Sequence, residues 1–290
     1  MKLLTLNLHS HDRSFEKSHL QARLEILAEF IRSQKPDVIA MQECSQEKDA
    51  PIMKTPGQGF VPLKEQMPLR EGNAAALLCE LLREEDGFWN WSWCGVKLGY
   101  DIFEEGLALF SRIPMTSVSD YWISTVRDRS NWKSRKALVA QLENHLCVCD
   151  VHMGWWNDEE ECFHDQMNRL QNILSGKEQV FLMGDFNSPS DVRGEGYDRM
   201  KELGWIDTYD LAQEKDSGIT VPGEIDGWRD GKKNGKRLDY IWTDRLCSFK
   251  RSLTVFSGIN EPVISDHFGV LLDGFSPEDA RDSNLREEKI

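Results

Sequence analysis

Residues Val180 to Pro189 constrain this chain more than any other stretch. Four apolar residues, Val180, Phe181, Leu182 and Met183, run directly into Gly184, Asp185, Phe186, Asn187, Ser188 and Pro189. A buried strand therefore delivers an acid and an amide to its own end. Side chains two apart on an extended chain point the same way. Asp185 and Asn187 thus share one small volume, where they can orient a water molecule and an oxyanion together. A plain turn would use the same residue types, so the segment taken alone leaves both readings open.

Five further segments follow the same plan. Lys2 to Leu8 is a short apolar strand that carries Asn7 at its end. Asp37 to Glu43 closes on Gln42 and Glu43. Leu146 to His152 ends in Asp150 and His152. Arg237 to Thr243 holds Asp239, and Ser265, Asp266 and His267 stand just before the apolar run Phe268 to Leu272. A cap or a turn is the ordinary explanation of any one of them. Six in one chain point to a shared site.

Residue type sets the chemistry such a site can perform. Glu43, Asn7, Asp185, Asn187 and Asp266 offer hard oxygen ligands. These suit Mg2+ or Mn2+, with Ca2+ also possible; zinc would want more histidine or cysteine. His152 and His267 are then available for acid–base or electrostatic work, and Asp239 can orient a histidine. Metal, carboxylate and histidine together suit hydrolysis of a phosphate ester.

The ordered set TLN, QE, GDFN, LDYI and SDH resembles the endonuclease/exonuclease/phosphatase superfamily, over Asn7 to His267. The resemblance implies an α/β fold: a four-layer α-β-β-α sandwich of two packed mixed β-sheets with helices outside and the site at one sheet edge. It implies Glu43 as principal metal ligand with Asn7 close by, and Asp185 as general base. Asn187 would hold the phosphate or the water. Asp239 would pair with His267, which contacts the phosphoryl group, and His152 would lie near the scissile phosphate. Phe268 and Gly269 stand where many members have Pro or Tyr, which alters a loop. The stretches HMGWW (from His152), GYDIFEEGLALFSR (from Gly99) and NWKSRKAL (from Asn131) resemble a bacterial branch that includes maltose 6'-phosphate phosphatase.

Charge is compatible with that branch. Thirty-five Lys and Arg stand against 49 Asp and Glu, a formal net charge of −14. Nucleic-acid affinity rests largely on basic residues, and so acidic a chain repels a polyanion at long range, although a local basic patch can override this. Arg127, Arg129, Lys133, Arg135 and Lys136 crowd one segment; Lys232, Lys233, Lys236 and Arg237 form a second. Each group reads either as a solvated loop or as a phosphate anchor, with Arg135 the best placed for bidentate contact and Lys136 beside it. The second group could also follow a nucleic-acid backbone.

Ten tryptophans need roles. Trp89, Trp91 and Trp93 alternate and share a strand face, as core residues do. Trp155 and Trp156 follow His152 off a strand end, where an aromatic platform can hold a sugar ring or stack a base. Trp132 and Trp228 fall in loops near the basic groups, where either can line a pocket. His9 and His11 follow Asn7, in the loop expected to border the site; His9 can touch substrate, although solvent exposure is the default for such a loop histidine. Glu104 and Glu105 precede the strand Leu107 to Phe110 and read as surface charge, or as partners that orient His152.

The spacing predicts helices over His19 to Ile31, Asn73 to Arg83 (Asn73 as cap) and about Asp158 to Leu174. Ala50 to Glu71 reads as a long loop able to wall the pocket, and Gln213 to Gly235 as a second polar segment. Residues 1–275 are expected to form one domain and 276–290 a charged tail. No apolar run is long enough to span a membrane, and the first residues do not read as a secretion signal. Seven cysteines without a paired motif fit reduced thiols and a cytoplasmic location. The reading is a divalent-metal-dependent phosphoesterase acting on a small phosphomonoester, a sugar phosphate such as maltose 6'-phosphate. An endonuclease or exonuclease on DNA or RNA stands second, and a non-catalytic binding module on the same fold third.

Overall fold

A computed structural model of the chain describes residues 1–11, 17–82, 87–177, 179–225 and 235–274. The 276–290 tail, Trp228, Lys232 and Lys233 lie outside the described residues. In chain order the strands are β1 (Lys2–Asn7), β2 (Val38–Gln42), β3 (Gln46–Glu47), β4 (Asn90–Gly99), β5 (Phe103–Ser111), β6 (Met115–Trp122), β7 (Lys136–Leu142), β8 (Cys147–His152), β9 (Val180–Asp185), β10 (Ile206–Asp207), β11 (Ala212–Lys215), β12 (Asp239–Thr243), β13 (Phe249–Val255) and β14 (Gly269–Asp273). The helices are α1 (Lys17–Gln34), α2 (Ala74–Leu81), α3 (Phe163–Leu174), α4 (Gly196–Glu202) and α5 (Thr208–Leu211).

Two mixed sheets result. One runs β11-β13-β14-β1-β2-β5-β3 with β4 also paired to β5, and the other runs β10-β12-β9-β8-β7-β6. Period-two burial explains why they stack. Leu3, Val38, Ala40, Leu107 and Leu109 of the first sheet meet Leu138, Ala140, Val148, Phe181, Met183 and Ile241 of the second in one core. The alternate residues of the first sheet, Leu4, Leu6, Ile39, Met41 and Phe110, pack with Leu24, Leu27 and Ile31 of α1 and Leu78 of α2. Those of the second, Cys149, Val151, Leu182 and Trp242, pack with Phe163, Met167 and Leu170 of α3 and Met200 of α4. Three apolar interfaces make four layers, the α-β-β-α sandwich expected from the sequence. Trp89, Trp91 and Trp93 all fall in the core outside the first sheet, as their alternation requires.

Two helices match their sequence pattern. Asn73 caps α2, its Oδ1 accepting from the Ala76 N–H at 3.1 Å. The third is shorter than expected: α3 starts at Phe163, because Asp158 folds into a turn and accepts from the Glu160 and Glu161 N–H groups at 2.9 Å. Such local acceptance competes with helical bonding. Strand β5 begins at Phe103, so Glu104 and Glu105 sit inside a strand rather than before one, and both are buried. Among the described residues, no helix is long and apolar enough to cross a membrane.

Candidate active site

The polar ends of the strands converge because of sheet direction. β1 and β2 run parallel, as do β8 and β9, so Asn7, Glu43, His152 and Asp185 arrive at one edge of the sandwich. β12 is antiparallel to β9 and sets Asp239 directly opposite Asp185; β8 sets His152 opposite Asp185 on the other side. β14 is antiparallel to β1, so the His267 that precedes it falls at the same edge. Asn7, His152, Asp185 and Asp239 all have inner-face parity, continuing the rows that build the inter-sheet core.

Asn7 ties the two halves together. Its amide donates to Glu43 Oε1 at 3.0 Å and to Asp185 Oδ2 at 3.2 Å, and its Oδ1 accepts from the His9 N–H at 3.1 Å. It acts as a strut between two carboxylates. Asp185 Oδ1 accepts from the Asn187 N–H at 2.8 Å, while Asn187 Nδ2 donates to the Met153 carbonyl at 3.0 Å. His267 Nδ1 lies 2.9 Å from Asp239 Oδ2, and its Nε2 faces Asp185 Oδ2 at 3.8 Å. His152 Nε2 faces the same oxygen at 3.6 Å. His9, Glu43 and Asn187 hold φ of 44°, 48° and 46°. Left-handed backbone at non-glycine residues costs about 1–3 kcal/mol each and concentrates at functional sites.

Burial and neighbours divide the ionisable groups into distinct states. Burial, aided by Asp239, pushes the Asp185 carboxyl up to about 7 despite His267 and the Asn187 and Asn7 hydrogen bonds. Burial works against charge on His267, but Asp239 and Asp185 overcome it and raise the ring to about 10. Burial, with Arg135 and Lys97 nearby, holds His152 well below the ordinary histidine range. Burial opposes charge on Glu43 too, yet His11, His152, His9 and the Asn7 amide hold it far below the ordinary carboxylate range. The site thus carries an imidazolium at His267, a neutral imidazole at His152, an ionised Glu43, and a carboxyl at Asp185 poised to exchange a proton near neutrality.

A cavity of about 320 Å3 opens over this cluster. Glu43, His152, Asp185, Asn187, Asp266 and His267 form its polar floor, and His9, Arg135 and Trp155 also line it. Two expected contacts are not brought in. Lys136 does not line the cavity; its Nζ is bonded to Asp120 Oδ2 at 2.6 Å and sits 4.5 Å from the Trp122 ring centre. Trp156 also does not line it and packs beside Phe163 and His164, since adjacent side chains diverge. None of the lining residues comes from the 50–71 loop, which covers the first sheet instead, with Phe60 on Trp91 and Leu63 in the inter-sheet core.

Several lining residues carry only weak signals in the sequence. His11 is 6% exposed rather than solvated; the Asn7, His9, His11 alternation carried that signal. Glu105 is buried, with Oε1 3.8 Å from His152 Nδ1. Lys97 also lines the cavity, with its Nζ 3.2 Å from Glu105 Oε1. A register shift between Gly95 and Lys97 pairs Lys97 with Glu105. Such bulges re-aim side chains beside active sites, and nothing in the local sequence announces this one. Tyr100 and Trp132 complete an aromatic wall with Trp155.

A divalent metal is compatible with the donors present. Glu43 is ionised and faces the cavity, and the buried His152 Nδ1 has no hydrogen-bond partner among the described residues. The donor atoms of His9, His11 and Glu43 lie within 4.8 Å of one another, as do those of Asp185, Asp239 and His267.

The model of the endonuclease/exonuclease/phosphatase family matches residues 4–267. The chain belongs to that family. Members of the endonuclease/exonuclease/phosphatase family are hydrolases of phosphoesters and generally depend on a divalent metal. A family protein from Leptotrichia buccalis is 29% identical, with a TM-score of 0.81 over 95% of this chain and 99% of that one. A mannosyl-6-phosphatase from Bacteroides thetaiotaomicron is 16% identical, with a TM-score of 0.61 over 94% and 98%. The 3' phosphatase NExo from Neisseria, bound to a product DNA hairpin, is 18% identical, with a TM-score of 0.60 over 95% and 99%. The last two show a shared fold. Comparison with curated protein sequences gives no match.

Proposed function

We propose that this family member is a divalent-metal-dependent phosphatase of a small phosphomonoester, a sugar phosphate such as maltose 6'-phosphate. One observation carries the reading: the catalytic floor lies at the bottom of a cavity walled by aromatic rings. Trp132 and Trp155 meet edge to face at 5.5 Å between ring centres, and the Arg135 guanidinium lies 5.9 Å from the Trp155 ring. Aromatic faces take up the apolar faces of a sugar, and buried cations take up phosphoryl charge. The Bacteroides mannosyl-6-phosphatase is named for a sugar phosphate, which agrees with this reading. The formal net charge of −14 disfavours a polyanionic substrate.

In this mechanism Glu43, with Asn7 and Asp266 near it, would hold a divalent metal, whose charge would offset that of the phosphoryl oxygens. Asp185 accepts a proton from the attacking water. Asn187 orients that water or the phosphate beside it. His267, kept charged by Asp239, supports the negative charge that builds on the phosphoryl oxygens. His152, neutral and next to Asp185, contacts the same group. Arg135 and Lys97 neutralise the ground-state phosphate, and Trp132 with Trp155 seats the leaving group. Asp266 orients His9 through a 2.7 Å contact to Nδ1. Of the oxygen-loving ions, Mg2+ and Mn2+ suit Glu43. A cytoplasmic location rests on the seven free cysteines.

The test is a screen of phosphorylated sugars for released inorganic phosphate, with Mg2+ or Mn2+. Turnover should vanish on chelation and fall by at least about a thousandfold in Asp185→Asn, the scale of losing a central acid–base group and its charge. Cleavage of plasmid DNA without turnover of any sugar phosphate would refute the proposal in favour of a nuclease. No turnover of either substrate with any metal would refute it in favour of a binding module.

A further inference from the structure

The surroundings of Glu43 contain more nitrogen than an all-oxygen metal site requires. His11 Nε2 lies 3.4 Å from Glu43 Oε2 and 3.9 Å from Glu105 Oε2. Its other nitrogen, Nδ1, is 3.2 Å from Ser45 Oγ. That hydroxyl donates to the Glu43 carbonyl at 3.4 Å, so it is an acceptor toward Nδ1–H. The tautomer this favours turns the Nε2 lone pair toward two carboxylates. Lone pair and carboxylates repel unless a proton or a metal ion lies among them. Glu105 has Lys97 3.2 Å away, and Glu43 faces His11 at 3.4 Å, a separation that one ion bound to both atoms would span.

His9 closes the other side. Its left-handed backbone turns the chain back over the site, its ring centre is 5.3 Å from that of His11, and Asp266 holds its Nδ1. A histidine whose second nitrogen is fixed by a hydroxyl or a carboxylate is the usual arrangement around bound metals. The donor atoms of His9, His11 and Glu43 already lie within 4.8 Å of one another.

We infer that His9, His11 and Glu43 form a nitrogen-bearing position for a first-row transition ion, which the chain holds in preference to Mg2+. The inference rests on the proposed role of Glu43 as a metal ligand and deepens it. Imidazole suits Fe2+, Ni2+ and Zn2+, with Co2+ between them in the affinity order, whereas Mg2+ favours oxygen and sheds its water reluctantly. The sequence expectation that zinc lacked histidine counted neither His9 nor His11 as ligands.

The experiment uses the full chain, stripped with chelator and loaded with Co2+. X-ray absorption at the cobalt edge should show imidazole scattering and one bound ion per chain. His11→Gln should weaken Co2+ binding at least tenfold while changing Mg2+ binding, measured by competition, less than threefold. Cobalt surrounded by oxygen alone in the unmodified protein would overturn the inference, and that measurement needs no variant to fold. Equal weakening of both ions in His11→Gln, or weakening of neither, would also overturn it. Phosphate release with Mg2+ alone, beside an all-oxygen cobalt spectrum, would remove this inference and leave the phosphatase reading intact. Imidazole-bound cobalt without turnover of any phosphomonoester would uphold the inference and remove the phosphatase reading.

Discussion

Gly184→Ala tests the link between backbone geometry and the site most directly. Gly184 has φ of 140° and pairs in parallel register with Val151. A methyl group there would be driven into the Val151 backbone, its carbonyl oxygen first. Two costs add: about 1–3 kcal/mol for forcing an L-residue into that conformation, and about 1–3 kcal/mol for moving neighbours in a packed interior. A loss near 4 kcal/mol would be a large part of a typical stability of roughly 5–15 kcal/mol. With a urea slope of about 3 kcal/mol/M, the midpoint should fall by roughly 1.3 M. Tryptophan fluorescence in urea reads this directly. Gly72→Ala is the control, because Gly72 has φ of 83° and nothing stands within 4 Å of an added methyl; it should cost only the backbone part, about 1 kcal/mol. Displacing β9 from β8 also moves Asp185 relative to His152, so kcat should fall in Gly184→Ala and hold in Gly72→Ala. Equal midpoints for Gly184→Ala and the unmodified protein, or for the two variants, would refute the reasoning.

Other expectations follow from particular contacts. Asp150 is fully buried, accepts from Gln42 Nε2 at 2.5 Å, and has an Oδ2 with no hydrogen-bond partner among the described residues; burial pushes its carboxyl well above the ordinary range. The folded chain therefore keeps a proton that the unfolded chain gives up above about pH 3.9, and stability falls as pH rises from there. Asp150→Asn should remove that decline, so its urea midpoint should gain on the unmodified protein between pH 4.5 and pH 7; parallel profiles would count against the neutral carboxyl. Trp155→Ala and Trp132→Ala should each raise KM for a sugar phosphate roughly 5- to 30-fold through about 1–2 kcal/mol of lost apolar contact. Their kcat should change less than threefold, and a phosphate ester without a ring should be hydrolysed as before; a loss confined to kcat would place these rings outside the substrate contact.

How far the sequence reached can be judged residue by residue. Apolar runs such as Val180 to Met183 marked the strands, whereas the four layers were implied by the family resemblance; it is the structure that sets Leu3 and Leu4, and Phe181 and Leu182, on opposite sheet faces. The paired strands then put Asn7, His152, Asp185 and Asp239 on one parity. Their polar types could be read as a site because nothing else explains so many strand ends closing on acids, amides and histidines. Helix starts were legible where a cap was decisive, as at Asn73, and misplaced where a turn intervened, as at Asp158.

Tertiary structure alone decided the remainder. Strand direction is not encoded in a strand's own residues, yet it places Asp239 opposite Asp185 and brings His267 beside both. The shift between Gly95 and Lys97 reverses the alternation that Cys94 begins, and only pairing with β5 reveals that Lys97 faces Glu105. Trp155 and Trp156 are identical to a reader of the chain, but one lines the cavity and the other packs beside α3. His11 looked like a loop residue until Ser45, Glu43 and Glu105 closed round it. The sequence determined which side chains a strand would carry inward, because that depends on neighbours one and two positions away. Which of them meet depends on contacts between distant strands, Asn7 with Asp185 being 178 residues apart, and those exist only once the sheets have formed.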